Sequence, residues 1–460
     1  MGIKTVTRKA QAKGIGSRRI PEIPSWWIAD FTIAALSMLA AFVLSPSFDP
    51  DSPMTARHIG AAVATISFGV LQGAIGQIFG LSRPVIGKYS GFLMIRAASS
   101  VMISMSLLML VASGVFYQQM GRYIILQATV YTIIGILSIR WIWTASVGMR
   151  QLRVLFFGGS FTGEMLSSLC KSEGLNLTIL RQHDLNQGLP FPASDLPEQC
   201  LAHGIDEVVE AIPKTDFPEF SRSFLGCLMV GISVSSLSSF MERHFKFVPI
   251  EEIGVEWFLQ SGFQTGHPIH DRIKRTFDVV FAIVGLIGVF PLIILAAIAS
   301  KIESQDPVFY SQIRIGAMGR PFRIWKLRSM SADSEQNGPQ WATLADPRVT
   351  KVGRLLRRTR IDETPQFWNI LRGDMSLIGP RPERPEFVEK LAEKIPYYNQ
   401  RHLLKPGLTG WAQINYPYGA STEDSLQKLK YDLYYVKHVS ISLDVQIILS
   451  TVGVIMKGAR

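Results

Sequence analysis

The sequence predicts a membrane protein of mixed α/β class: four transmembrane helices, a doubly wound α/β module, and an α-rich C-terminal domain with a re-entrant helix. Three observations predict it. Hydrophobic residues make up 47% of the 460 and charged residues only 18%, and the mean hydropathy is +0.21, more apolar than an ordinary soluble chain. Four apolar runs of about 20 residues, the length that crosses a bilayer core, occupy the first third. A fifth run carries a proline at its centre and positive charge at both ends.

The elements follow in chain order. Residues 1–25 form a basic tail with Lys4, Arg8, Lys9, Lys13, Arg18 and Arg19 against the single acid Glu22. The four spans lie within 26–147, at about 26–44, 59–81, 92–117 and 123–147. Three further spans after the first argue against a cleaved signal peptide. Arg96 and Arg140 sit near span ends, where long side chains reach an interface. Residues 45–58 hold Asp49, Asp51 and one arginine, whereas Arg83 and Lys88 mark the second loop and Arg150 and Arg153 the exit. Positive loops face the cytoplasm, so everything after residue 150 is expected there.

The middle module is expected over 150–250. Val154-Leu155-Phe156-Phe157-Gly158-Gly159-Ser160 reads as a strand entering a glycine turn, with Gly163 following, which makes the module Rossmann-like. Ser160 occupies the second glycine's place, and Arg181 and Asp184 are poor candidates for the ribose-binding acid. A structural module without cofactor is therefore favoured, with later strands at 205–211, 230–237 and 245–250. Residues 251–271 read as a linker.

Residues 279–300 form the fifth run: 22 residues without a charge, preceded by Lys274 and Arg275 and followed by Lys301. Positive ends place both on one face, and Pro291 removes a backbone donor mid-helix. A re-entrant helix over about 277–302, bent at Pro291, satisfies both. A plain kinked span is the alternative.

Beyond it lie Arg314, Arg320, Arg323, Lys326 and Arg328, then Arg354, Arg357, Arg358 and Arg360 leading into Ile361-Asp362-Glu363-Thr364-Pro365-Gln366. The net charge of +11 suits nucleic acid, anionic lipid or phosphate-bearing substrates alike. Adjacent acids behind arginines are expected to be held ionised. An ionised Asp can attack phosphorus, and a neighbouring Glu can bind Mg2+. Pro365 suits a first helical turn, so the pair is expected just before a helix start. Cys170, Cys200 and Cys227 lack metal or disulfide spacing and read as unpaired thiols.

Residues 272–460 resemble the bacterial sugar transferase family, the monotopic phosphoglycosyl transferases. The resemblance is carried by Lys274-Arg275-Thr276-Phe277-Asp278, Val308-Phe309-Tyr310-Ser311-Gln312-Ile313-Arg314-Ile315-Gly316 and Phe322-Arg323-Ile324-Trp325-Lys326-Leu327-Arg328-Ser329-Met330. It continues in Asp362-Glu363-Thr364-Pro365-Gln366, Gly373-Asp374-Met375-Ser376-Leu377-Ile378-Gly379-Pro380-Arg381-Pro382 and Lys405-Pro406-Gly407-Leu408-Thr409-Gly410-Trp411. The spans and α/β module match the family's large form, such as undecaprenyl-phosphate glucose or galactose phosphotransferases of exopolysaccharide synthesis.

The resemblance implies transfer of a hexose-1-phosphate from a UDP-sugar to undecaprenyl phosphate, releasing UMP. Asp362 would carry a covalent phosphosugar and Glu363 would hold Mg2+. Lys326, Arg328, Arg357 and Arg381 match phosphate-steadying positions, and Asp374 matches an acid of the same pocket. Glucose is the first expectation for the sugar and galactose the next; a homodimer is an analogy from the family, and no nucleic-acid partner is expected. Two departures stand out: Phe290 replaces the Ser that often precedes the bend proline, and Tyr416-Pro417-Tyr418-Gly419 replaces a Gly-Arg. The short 443–456 stretch suits an interfacial helix. A conventional glycosyltransferase would need its DxD, and only Asp49-Pro50-Asp51 offers one, on the far side of the membrane. A non-catalytic scaffold or sensor of polysaccharide assembly is the remaining alternative.

Overall fold

The computed structural model describes residues 26–44, 56–79, 81, 90–115, 122–147, 152–158, 177–183, 196–211, 217–260, 268–304, 306–331, 334, 338, 346–416, 419 and 421–456. The basic tail, Asp49-Pro50-Asp51, Arg83, Lys88, Gly159, Ser160, Gly163, Cys170 and Asp184 lie outside them. The chain divides into two compact units, residues 1–240 and 241–460.

The first unit opens with four helices where apolar runs are expected: α1 (Trp26–Val43), α2 (Ala56–Ile78), α3 (Ser90–Val115) and α4 (Arg122–Val147). Among the described residues, Trp26–Val43, Gly60–Ile78, Tyr123–Ile142 and, in the second unit, His270–Glu303 are long and apolar enough to cross a membrane. Arg96–Leu110 forms a shorter apolar helix. Small residues let the helices close: a side-chain carbon on Gly69 would strike the Phe31 ring, and one on Gly135 would strike Ile33, the packing that lipid-embedded helices favour. Two polar clusters are paired across the helices. Arg140 Nη1 stands 2.8 Å from Asp30 Oδ1, and its Nε and Nη2 donate to Leu81 O. Gln72 Oε1 accepts from Ser104 Oγ and its Nε2 donates to Ser100 Oγ.

After the helices come β1 (Leu152–Gly158), β2 (Leu177–His183), β3 (Glu207–Ala211) and β4 (Ser233–Ser236). They form a parallel sheet in the order β2-β1-β3-β4. Central β1 buries Val154, Leu155 and Phe156 in succession, the unbroken apolar text of a strand covered on both faces. Helices α5 (Leu196–Ala202) and α6 (Phe217–Met229) supply Leu196, Cys200, Phe220, Phe224 and Cys227 to its core. Both described cysteines are free and buried. Strands expected at 205–211 and 230–237 form at β3 and β4. The strand expected at 245–250 does not: Lys246 takes a positive φ of 58° after α7 (Leu237–His244). Val248 and Ile250 are apolar because they enter the second unit's core, not a sheet.

In the second unit, α8 (Val255–Gln260) forms within the stretch expected to link, and Trp257 and Phe258 pack on the core. Helix α9 runs unbroken over Pro268–Glu303, with Pro291 inside it. A hairpin of β5 (Phe309–Ile315) and β6 (Pro321–Leu327) follows, then α10 (Lys351–Thr359), the tight turn Ile361–Glu363, α11 (Gln366–Arg372) and β7 (Ser376–Ile378). Strand β7 pairs in parallel with β8 (Gly407–Thr409); around it lie α12 (Pro385–Lys394), α13 (Trp411–Asn415), α14 (Thr422–Lys437) and α15 (Ile441–Met456). Trp411, Leu429, Leu433, Tyr435 and Ile447 fill the main core.

Helix α9 is fastened at both ends. Arg275 donates to Ile370 O and Leu371 O, satisfying the last carbonyls of α11. Asp278 accepts from Leu377 N and Ser376 Oγ, and Lys274 pairs with Asp444 at 3.0 Å. Ala282 packs among Ile324, Ile370 and Met375; further on, Ala296 packs on Leu327 and Leu356. At the far end Glu303 accepts from Lys351 N and Val352 N. Between the anchors Val284, Ile287, Phe290, Leu292 and Leu295 are exposed. Helix α15, expected at an interface, buries Leu443 and Ile447 in the core and turns Asp444 inward to Lys274 and Tyr435.

Candidate active site

Local sequence sets the Asp362-Glu363 turn. Helix α10 starts where Thr350 accepts from Gly353 N, an N-cap that satisfies an orphan donor. It stops at Arg360, which takes left-handed φ and ψ of 59° and 15° and reverses the chain into Ile361–Glu363. Pro365 caps α11, so the acid pair stands ahead of a helix start as expected. Both acids are buried, each 7% exposed.

Three cations converge on Glu363 from three segments. Lys326 Nζ, from β6, is 3.0 Å from Oε1, and Arg381 Nη2 is 2.6 Å from the same oxygen. Arg360 Nη1 lies 3.8 Å from Oε2. Asn369 fixes β6 against α11: its Nδ2 donates to Arg323 O and its Oδ1 accepts from Trp325 N. The Arg381 loop is clamped by backbone bonds from Gly379 N to Thr409 O and Gly407 N to Pro380 O. Behind it, Arg401 Nη2 donates to Arg381 O and Arg314 Nη1 to Pro382 O. Arg401 is itself paired with Asp432 at 2.7 Å.

The two acids differ electrostatically. Burial alone would raise Glu363, but Arg381, Lys326 and Arg360 hold it well below the usual carboxylate range. Asp362 is pushed up to about 6 by burial and then by Glu363's charge, with Lys326, Arg357 and Arg360 opposing. The expectation that the arginines hold both acids ionised is thus corrected for Asp362, where burial and its neighbour outweigh them. Lys326 is pulled down by burial, against the Glu363 charge. Asp362 Oδ1 is buried with no hydrogen-bond partner among the described residues.

Of the residues singled out by sequence, Asp362, Glu363, Lys326 and Arg381 share one cluster. Arg357 adds its charge to Asp362 while donating to Ser329 Oγ. Arg328 is turned elsewhere, donating to Pro307 O and lying over the Tyr310 ring. Asp374 pairs with Arg372 at 3.5 Å rather than with the cluster. Sequence reasoning gave no site role to Arg360, Asn369, Arg314 or Arg401; the places of Arg314 and Arg360 in the two basic clusters offered the signal. For Mg2+, the described residues hold no group of three or more acid, His or Cys ligands. An Asp-Glu pair with an open oxygen still fits, because Mg2+ takes one or two carboxylates and completes its shell from substrate phosphates and water.

The long apolar helices mark a membrane-associated protein, and its second unit holds a buried acid pair ringed by cations. The chain belongs to the bacterial sugar transferase family, whose sequence pattern matches residues 269–458. It is 40% identical over 254 residues to a UDP-N-acetylgalactosamine-undecaprenyl-phosphate N-acetylgalactosaminephosphotransferase of Aeromonas hydrophila, covering 55% of this chain and 59% of that one. Against a UDP-glucose:undecaprenyl-phosphate glucose-1-phosphate transferase of Escherichia coli it is 42% identical over 197 residues, 42% of each chain. Against the uncharacterized sugar transferase EpsL of Bacillus subtilis it is 39% identical over 181 residues, 39% of this chain and 85% of EpsL. The chain therefore spans about half the length of the first two.

Proposed function

We propose that the protein transfers a hexose-1-phosphate from a UDP-sugar to undecaprenyl phosphate, releasing UMP, as an initiating membrane step of exopolysaccharide or related glycan synthesis. The observation that carries this reading is Asp362: a buried carboxylate with an open oxygen, beside a second acid whose cations can receive phosphate. An Asp362 oxygen attacks the donor's β-phosphorus. The bond from that phosphorus to the bridging oxygen breaks, and UMP leaves with the electron pair. Undecaprenyl phosphate then attacks the acyl phosphate, freeing the carboxylate and forming the lipid diphosphate sugar. Arg381 and Lys326 orient the donor's phosphates, Arg by its planar fork and Lys as a point charge. Mg2+ held by Glu363 would supply neutralisation of the leaving diphosphate charge.

Support for the membrane arrangement comes from α9. A straight crossing would set its ends about 30 Å apart on opposite sides of the bilayer, yet both ends bind the same folded unit. With positive charge at each end and an apolar middle, this supports a re-entrant helix with the catalytic unit cytoplasmic. The parallel sheet order supports a Rossmann-like module.

The test uses full-length protein in nanodiscs with Mg2+, undecaprenyl phosphate and UDP-glucose, UDP-galactose or UDP-N-acetylgalactosamine, since relatives differ in sugar. UMP release with one donor is expected. Radiolabelled phosphosugar should be trapped on wild type and not on Asp362→Asn, whose turnover should fall by about 10³-fold or more. UDP release, or full activity of the Asn variant as a scaffold role requires, would overturn the reading.

A further inference from the structure

Lys326 and Arg381 meet on one atom. Both cations contact Oε1 of Glu363, at 3.0 and 2.6 Å, and they arrive from separate elements. That oxygen occupies the point where two phosphate-binding groups converge. Arg360 stands toward the second oxygen at 3.8 Å, so the carboxylate is neutralised by this chain's own cations. Phosphate oxygens drawn to the same two cations compete with Glu363 for them, and the anions repel at close range in a poorly screened site.

Resting on the proposed donor chemistry, we propose that Glu363 is a resident counter-anion. It fills the phosphate site of the free enzyme, and nucleotide phosphate enters by displacing it. The displaced carboxylate then needs a new cation, which a divalent metal supplies. Nucleotide and metal therefore bind with positive coupling, and by linkage each raises the other's affinity by the same factor. Glu363 also discriminates: an anion that brings no metal competes against the carboxylate for both cations and gains little. Full occupancy of the nucleotide site is thereby tied to assembly of the metal-loaded state.

UMP binding, measured by calorimetry on the full-length protein in nanodiscs with either Mg2+ or EDTA, tests this without turnover. Wild-type affinity should fall about tenfold or more in EDTA. In EDTA, Glu363→Gln should bind UMP about tenfold more tightly than wild type, because Lys326 and Arg381 have been released. Glu363→Ala serves the same purpose if the Gln variant fails to fold, as judged by thermal unfolding. Equal wild-type affinity with and without Mg2+, or variants that bind UMP no better than wild type in EDTA, overturns the counter-anion alone. Absence of UMP binding to wild type with Mg2+ overturns the donor chemistry as well.

Discussion

Asp362 and Glu363 share a turn, a degree of burial and a charge type, and they titrate in opposite directions. Glu363 draws Lys326 from 37 positions upstream and Arg381 from 18 downstream, whereas Asp362 is left with burial and its neighbour's negative charge. As the proposed nucleophile, Asp362 must be ionised, so kcat/KM should fall as pH drops through about 6 and not through the ordinary aspartate range near 4. A pH–rate profile without an acid limb near 6 would contradict this. Stability carries the reverse sign. The native-state value lies above the unfolded one, so the folded protein binds the proton more tightly. Stability is lost as pH rises through the window from about 4 to about 6, and the full cost persists above it. Asp362→Asn should therefore raise thermal stability at pH 8, by ~3 kcal/mol, with the gain shrinking toward pH 5. Sequence shows the pair but not this split, because the cations that decide it are brought together only by folding.

Elements hold these residues to their spacing, and the support lies one layer behind the cations. Arg401 is buried, salt-bridged to Asp432 at 2.7 Å and bonded to Tyr398 OH and Arg381 O. Removing Asp432 leaves a buried guanidinium without its anion, a change that costs about 3–5 kcal/mol. Asp432→Asn keeps the shape and should cost less, while loosening the Arg381 loop: donor KM should rise more than kcat falls, with the pH limb unmoved. Equal loss in kcat alone would separate Arg401 from donor positioning. Gly353 is a second such contact, since any side-chain carbon there would run into Ser329 backbone. Gly353→Ala should push α10 off the end of β6 and lower thermal stability by about 1–3 kcal/mol. The apolar helices were legible from their periodless runs, and β1, β3 and β4 from short apolar text. The hairpin β5–β6 was not singled out as strands, because Ser311, Gln312, Arg314, Arg323 and Lys326 interrupt its apolar text. Phe245–Ile250 misled because burial in an irregular segment demands the same residue types as a strand.

Across the molecule, each unit closes its own core. Leu155, Val208, Phe224 and Cys227 belong to one, and Val248, Trp411, Leu433 and Tyr435 to the other. Every residue of the candidate site, from Arg314 to Asp432, lies in the second unit. So do both anchors of α9, from Lys274 with Asp444 to Glu303 with the start of α10. In the first unit the Asp30–Arg140 pair ties α1 to α4, and its loss would strand a charge in an apolar setting. A folding unit with its own core should persist without its neighbour. The 241–460 fragment, produced in membranes, is therefore expected to stay membrane-bound through α9 and to release UMP at a kcat/KM within about tenfold of the full chain. Sedimentation with membranes and the same UMP assay would check both halves. A fragment that is bound but inert would show that the first unit completes the site; a fragment that is soluble and active would show that α9 does not anchor it.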